Sequence, residues 1–198
     1  MPVVKVSDIA WGRLQSPDLD QAEEFLSHFG MVRAERTATA LYMRGTDPHH
    51  HLHVTHLGSP RFLGLAFFVD DEEDLRRATR AAGATGIENI DEPGGGKRVR
   101  LTDPHGYTVE IVCGMAPVVP LPVRPNVLNW GSEKTRRAGD LMRVQQGPSQ
   151  VKRIAHAVLM TQNAMEKVRW YREHLGLVST DDIYAGSKDN IKIGRAHV

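Results

Sequence analysis

Residues 8–30 read DIAWGRLQSPDLDQAEEFLSHFG. An apolar run suited to a strand passes into Ser16-Pro17, a helix start in which Ser16 caps the free amides and Pro17 takes the first helical position. Leu19, Ala22, Phe25/Leu26 and Phe29 then recur every three or four residues, the period of one apolar helix face, and Gly30 supplies the stop. The plan returns at 62–83, FLGLAFFVDDEEDLRRATRAAG, with an apolar strand, an acidic helix start, Leu75, Ala78 and Ala82 on one face, and Gly83. It returns again at 153–177, RIAHAVLMTQNAMEKVRWYREHLGL. In this third copy Asn163 and Glu166 suit a capping box, and Met165, Val168, Tyr171 and Leu175 form the stripe. The helix ends HFG and HLG nearly coincide.

Short strand-like segments follow the first two helices. The first set is Met31–Thr37, Thr39–Arg44 and His51–Leu57; the second is Ile87–Ile90, Lys97–Thr102 and Tyr107–Cys113, with PGGG at 93–96 and DPHG at 103–106 as turns. Each unit is therefore β-α-β-β-β. A single unit cannot bury its own sheet face, so the units pair, and the expected fold class is α+β, built of paired βαβββ units. The reading divides the chain into a complete module over 1–116, a linker over 117–150 rich in Pro, Asn, Gly and Arg, and the first part of a second module over 151–198.

Composition narrows the function classes. Hydrophobic residues make up 40% and charged residues 25% of the 198, an ordinary globular balance. A formal net charge of +1, with Lys and Arg dispersed among Asp and Glu, gives no footprint for nucleic acid or an anionic membrane. The local cluster Lys134-Thr135-Arg136-Arg137 falls in the linker. The single cysteine, Cys113, rules out an internal disulfide framework and, between apolar neighbours, reads as a buried thiol. No run of eighteen apolar residues and no leader-like start is present, so a cytoplasmic protein is expected.

Four stretches, PDLDQAEEFL, ALYMRG followed by HHHLHV, LTDPHGYTVEIV and IAHAVLM…WYREHLGL, resemble the vicinal oxygen chelate superfamily, which holds glyoxalase I, bleomycin-resistance proteins and the type I extradiol ring-cleavage dioxygenases. The resemblance is nearest to the dioxygenases and runs from about residue 5 to about Asn190. It implies a structural first module and a catalytic second module. In the latter, two His and one Glu hold Fe(II), or Mn(II), as a facial triad with open positions for a catechol and O₂. It also implies a homo-oligomer.

His156 lies in the strand expected to open the second module, where the family keeps its first metal ligand; from chemistry alone such a histidine is more often a hydrogen-bonded core residue. Glu110 matches the Glu position of a superfamily module, but the partner positions fall on Ala10 or Trp11 and on Gly64 or its neighbours Leu63 and Leu65. None of these can ligate, so Glu110 reads as structural. His49, His50, His51, His53 and His56 form the densest histidine cluster; as a strand, it sets His49, His51 and His53 on one face and His50 with His56 on the other, a surface that offers imidazoles to a divalent ion. A half-exposed strand without metal is the plainer reading. His105 occupies a turn, His28 and His174 precede helix-ending glycines, and PGGG is a hairpin tip.

The second His, the Glu and a helper His of the triad are expected beyond residue 190. The ending IGRAHV departs from the family pattern and matches a translated sequencing adapter, so the chain reads as truncated and inactive, with His197 no ligand and the part after about Gln150 poorly ordered, its apolar helix face without a complete sheet beneath it. The runner-up is a metal-free small-molecule-binding module of the bleomycin-resistance type over residues 1–116; a glyoxalase-type isomerase is a third reading.

Overall fold

The computed structural model describes residues 1–125, 128–139, 146–161, 163–184, 186 and 191–197; for 181–184 and 191–197 it describes the backbone alone. The first unit consists of β1 (Asp8–Ser16), α1 (Leu19–Phe29), β2 (Val32–Arg36), β3 (Ala40–Arg44) and β4 (His53–Leu57). The second consists of β5 (Arg61–Phe68), α2 (Glu72–Ala78), β6 (Glu88–Asn89), β7 (Lys97–Thr102) and β8 (Thr108–Cys113). All eight strands form one sheet in the order β2-β3-β4-β1-β5-β8-β7-β6. Read outward from the centre, each half repeats the same order. β1 runs parallel to β4 and β5 parallel to β8, while the two first strands, β1 and β5, pair antiparallel. The internal repeat is thus a structural repeat, and the α+β fold with paired βαβββ units stands.

Strand alternation sorts side chains onto two faces. On the outer face, Leu65, Phe67, Val99, Leu101, Val109 and Ile111 pack under Leu75 and Ala78 of α2, and Leu41 and Met43 pack under Leu19 and Leu26 of α1. The inner face carries Trp11, Tyr42, Val54, Ala66 and Val112.

The helix ends follow the chemistry of their residues with shifts of detail. Asp18, not Ser16, caps α1: its carboxylate accepts from the amides of Asp20 and Gln21, while the Ser16 hydroxyl accepts from Asp18 N and donates to its carbonyl. Gly30 ends α1, and Gly176 the helix of the third unit, at positive φ, as read. The α1 stripe is narrower than its sequence suggests. Leu19 and Leu26 are buried, whereas Phe25 and Phe29 stay outside, at 65% and 57% exposure, with their rings stacked. In the second unit α2 ends at Ala78, well before Gly83, and Ala81 rather than Ala82 is buried.

The third unit departs further. No strand forms over 151–161. A strand exists by pairing, and residues 151–152 instead bond the loop after β3, with Thr46 N donating to Val151 O and Asp47 N to Lys152 O. Helix α3 (Ala164–Leu175) forms and is capped by Asn163 with Glu166, as read. Among the described residues, strands β9 (Val178–Tyr184) and β10 (Ile191–His197) pair only with each other. The expectation of an uncovered helix is corrected: Tyr171 and Leu175 enter the outer-face core of the first two units, and Val3, Val4 and Val6 donate amides to the carbonyls of Glu173, His174 and Leu175. The buried stripe is Lys167-Tyr171-Leu175, and Met165 faces out.

Gly64 sits where β5 passes closest to β8. A Cβ there meets Thr108 O at 1.8 Å, a backbone atom that cannot yield without breaking the parallel ladder. Gly64→Ala is therefore expected to destabilise the protein by more than about 2 kcal/mol, read as a lowered urea midpoint.

Candidate functional site

The inner face is organised by Arg13, a lone cation in the otherwise apolar run IAWGRL of β1. Its Nε donates to Glu110 Oε1 on β8 at 2.7 Å, and Nη1 donates to Glu92 Oε2 at 2.8 Å and to His56 Nε2 on β4 at 2.7 Å. Arg98 on β7 closes the circuit, with Nη1 3.0 Å from Glu110 Oε2 and 2.8 Å from Glu92 Oε1. Two guanidiniums and two carboxylates therefore tie β1, β7, β8 and the loop after β6 together. Burial works against the charge on Arg13, but Glu110 and Glu92 more than offset it and its pKa rises. Burial likewise opposes the charge on Glu92, yet Arg13 and Arg98 hold its pKa below the ordinary carboxylate value. Arginine can only donate, so His56 accepts through Nε2 and keeps its proton on Nδ1.

This accounts for Glu110. Across the sheet, Ala66 on β5 and Trp11 on β1 stand level with it, so Ala66, not Gly64, occupies the middle position. Trp11 is wholly buried and fills the first-strand place with an indole. The carboxylate is only 3% exposed and is neutralised by guanidiniums, which supports its structural reading. Arg13, Trp11, Tyr42, Val112 and Glu110 are all buried on this face.

The histidine cluster is dispersed, a correction to the single-strand reading, because β4 begins only at His53. His49 stacks on Phe68, and His51 is buried against Trp11 with its Nδ1 3.2 Å from His50 Nδ1. His53 bonds Thr55 Oγ1 and His56 faces Arg13. Burial brings His51 down to about 3 and His53 down to about 4, so both are neutral near pH 7. The PGGG loop joins β6 to β7 and touches His50 and Met115. His105 lies in its turn and also meets Thr161 Oγ1 through Nε2 at 2.6 Å. His174 Nδ1 bonds Trp170 O within the last turn of α3, as expected of a histidine there. Cys113 is buried. The side chain of His197 lies outside the described residues.

His156 is exposed, in the extended segment before α3 rather than in a paired strand. Among the described residues, no group of three or more His, Cys, Asp or Glu is arranged to hold a metal ion. The described residues thus do not by themselves fit an iron or manganese centre. Sequence reading missed Arg13, Glu92 and Arg98; the one signal was a cation placed inside an apolar strand.

Two outcomes follow for stability. Arg13→Met leaves two buried carboxylates, Glu110 and Glu92, to share Arg98 alone and is expected to cost about 3–5 kcal/mol, measured by urea titration. The depressed histidines bind protons in the unfolded chain, near 6.5, before they do in the folded one. Their contribution is complete above about pH 6.5 and is lost as pH falls toward 4 and then 3, at about 1.4 kcal/mol per unit of depression. The urea midpoint should drop across that window, and His51→Asn should flatten the drop.

Residues 8–111 match the family described as the Glyoxalase/Bleomycin resistance protein/Dioxygenase superfamily. Metapyrocatechase 2 of Cupriavidus necator is 30% identical over 175 residues, covering 85% of this chain and 52% of that protein. Among solved structures, homoprotocatechuate 2,3-dioxygenase of Brevibacterium fuscum in complex with 3,4-dihydroxyphenylacetate has a TM-score of 0.74 at 20% identity, over 99% of this chain and 58% of that one. The Mn(II)-bound glyoxalase of Novosphingobium aromaticivorans has a TM-score of 0.71 at 20% identity, over 91% of this chain and 56% of that one. The chain thus spans about half the length of the proteins it matches. Through its two complete βαβββ units, nearly all of whose one sheet falls in that match, the chain belongs to the Glyoxalase/Bleomycin resistance protein/Dioxygenase superfamily.

Proposed function

We propose that this chain is the first half of an extradiol ring-cleavage dioxygenase, a protein that opens a catecholic ring beside its diol with O₂ to give a hydroxymuconic semialdehyde-type product. The observation that carries the reading is the reach of the similarity. Metapyrocatechase 2 matches over 175 residues, past the paired units and into the third. A binding protein made of one module has no need of that third unit. The inner face of the first module also argues against the bleomycin-resistance alternative, because the Arg13–Glu110–Arg98–Glu92 network and Trp11 occupy the space a ligand would take.

In this reading the first module, over residues 1–116, contributes no reacting group. Residues 117–150 link it to the start of a catalytic module at 151–198. His156 is one of the ligands of Fe(II), or of Mn(II), and the remaining His and Glu ligands come from the rest of the whole protein. The metal, when bound, supplies the site at which a catechol and O₂ are brought together. The whole protein is a cytoplasmic homo-oligomer acting on a small molecule. A net charge of +1 favours neither nucleic acid nor a membrane surface as partner, and no helix among the described residues is long and apolar enough to cross a membrane.

His156→Ala in the whole protein is expected to abolish iron retention and semialdehyde formation, while the urea transition of the first module stays in place; a variant that keeps both iron and rate sinks the assignment. The 198-residue chain alone is expected to consume no oxygen when given catechol and Fe(II), measured with an oxygen electrode.

A further inference from the structure

The DPHG turn between β7 and β8 does more than reverse the chain. Asp103 Oδ1 accepts from the amides of His105 and Tyr107, at 2.8 and 3.0 Å, and the backbone closes the same turn, with Gly106 N donating to Asp103 O and Asp103 N to Tyr107 O, both at 2.9 Å. The turn needs one acceptor oxygen and no charge, a job an asparagine performs equally well. The second oxygen is engaged from elsewhere. Lys167 Nζ of α3 lies 2.9 Å from Asp103 Oδ2, in ion-pair contact outside hydrogen-bond alignment, and the Tyr171 hydroxyl donates to the same oxygen at 3.4 Å. The two charged side chains are 7% and 0% exposed. Lys167 also stands over the Tyr107 ring, 4.6 Å from its centroid. Burial and the neighbouring Asp103 push the Tyr171 hydroxyl pKa up, so it remains a donor.

A lysine in the buried stripe of a helix is tolerable only where a counter-charge meets it. Sliding α3 by one turn, about 5.4 Å, or rotating it parts Lys167 from Asp103 and leaves both charges buried. Apolar contacts at Tyr171 and Leu175 hold the helix down without setting its register; the amides of Val3, Val4 and Val6 on the carbonyls of Glu173, His174 and Leu175 tie its last turn, and the ion pair fixes its first half against the β7–β8 turn. The same turn reaches the segment before the helix, where His105 Nε2 meets Thr161 Oγ1, five positions after His156.

We propose that Asp103 is a positioning residue that docks the third unit in one register on the first module, and so sets where the His156 segment lies. The functional weight of that position rests on the dioxygenase reading; the docking itself does not, and it is tested on the chain alone.

Asp103→Asn keeps the turn acceptor and removes the charge, whereas Lys167→Met removes the charge from the helix without touching the turn. Amide hydrogen exchange of α3 and of residues 3–6 is expected to quicken at least about tenfold in either single variant, with the β7 and β8 amides unchanged. In Asp103→Asn/Lys167→Met, which buries no unpaired charge, exchange is expected to return to within about threefold of the parent. Three results would each overturn the inference: α3 exchange unchanged in the single variants, a double variant no slower in exchange than the singles, or β7 and β8 amides quickened as much as those of α3 in Lys167→Met. Loss of ring cleavage in the His156→Ala test has no bearing on any of them.

Discussion

The antiparallel pairing of β1 with β5 is the contact on which the rest depends. A βαβββ unit offers one helix to cover the outer face of four strands and nothing to cover the inner face. Joined through their first strands, two units make a sheet wide enough for the side chains of one half to close over those of the other. Arg13 of β1 reaches Glu110 of β8 only because β5 lies between them and bears Ala66, a small residue, at the level of Glu110. Gly64, one step along the same strand, lets β8 come near enough for its ladder to form.

The buried charges then decide what this face is for. In a cleft that binds a metal or a small molecule, polar groups converge on a space. Here they converge on each other, with each carboxylate met by two guanidiniums and a neutral His56 completing the shell. Networks of this kind stabilise little relative to apolar packing, but breaking one is costly, and they fix a single arrangement of the strands they join. The network thereby ties β1, β7 and β8 of the two units into one arrangement. The outer face of the first module, which receives α3, is its working surface toward the rest of the chain.

That outer contact changes the sense of the third unit. Its helix is carried by the core of the preceding units, with N-terminal residues 3–6 bonded along its last turn. The segment bearing His156 lies ahead of this helix and, among the described residues, pairs with no strand. The strand expected there from an apolar run does not form, and residues 151–152 bond the loop after β3 instead.

By itself the sequence determined the repeat, because helix caps, apolar periodicity and turn glycines are local and are written in neighbouring residues. Asp18, Asn163, Gly30 and Gly176 act within a few positions of where they stand, and the βαβββ order follows from them. It also marked Glu110 as lacking partners able to ligate. Only the tertiary structure decided which charge meets Glu110, since Arg13 lies 97 positions away and no spacing rule connects them. It decided that Lys167 belongs in a buried stripe, because the counter-charge on Asp103 comes from another unit. It also separated five histidines that one strand period had aligned, because pairing begins at His53 and a loop obeys no period. Contacts between residues close in sequence can be read from residue type, whereas long-range ones depend on a register that only the assembled sheet defines.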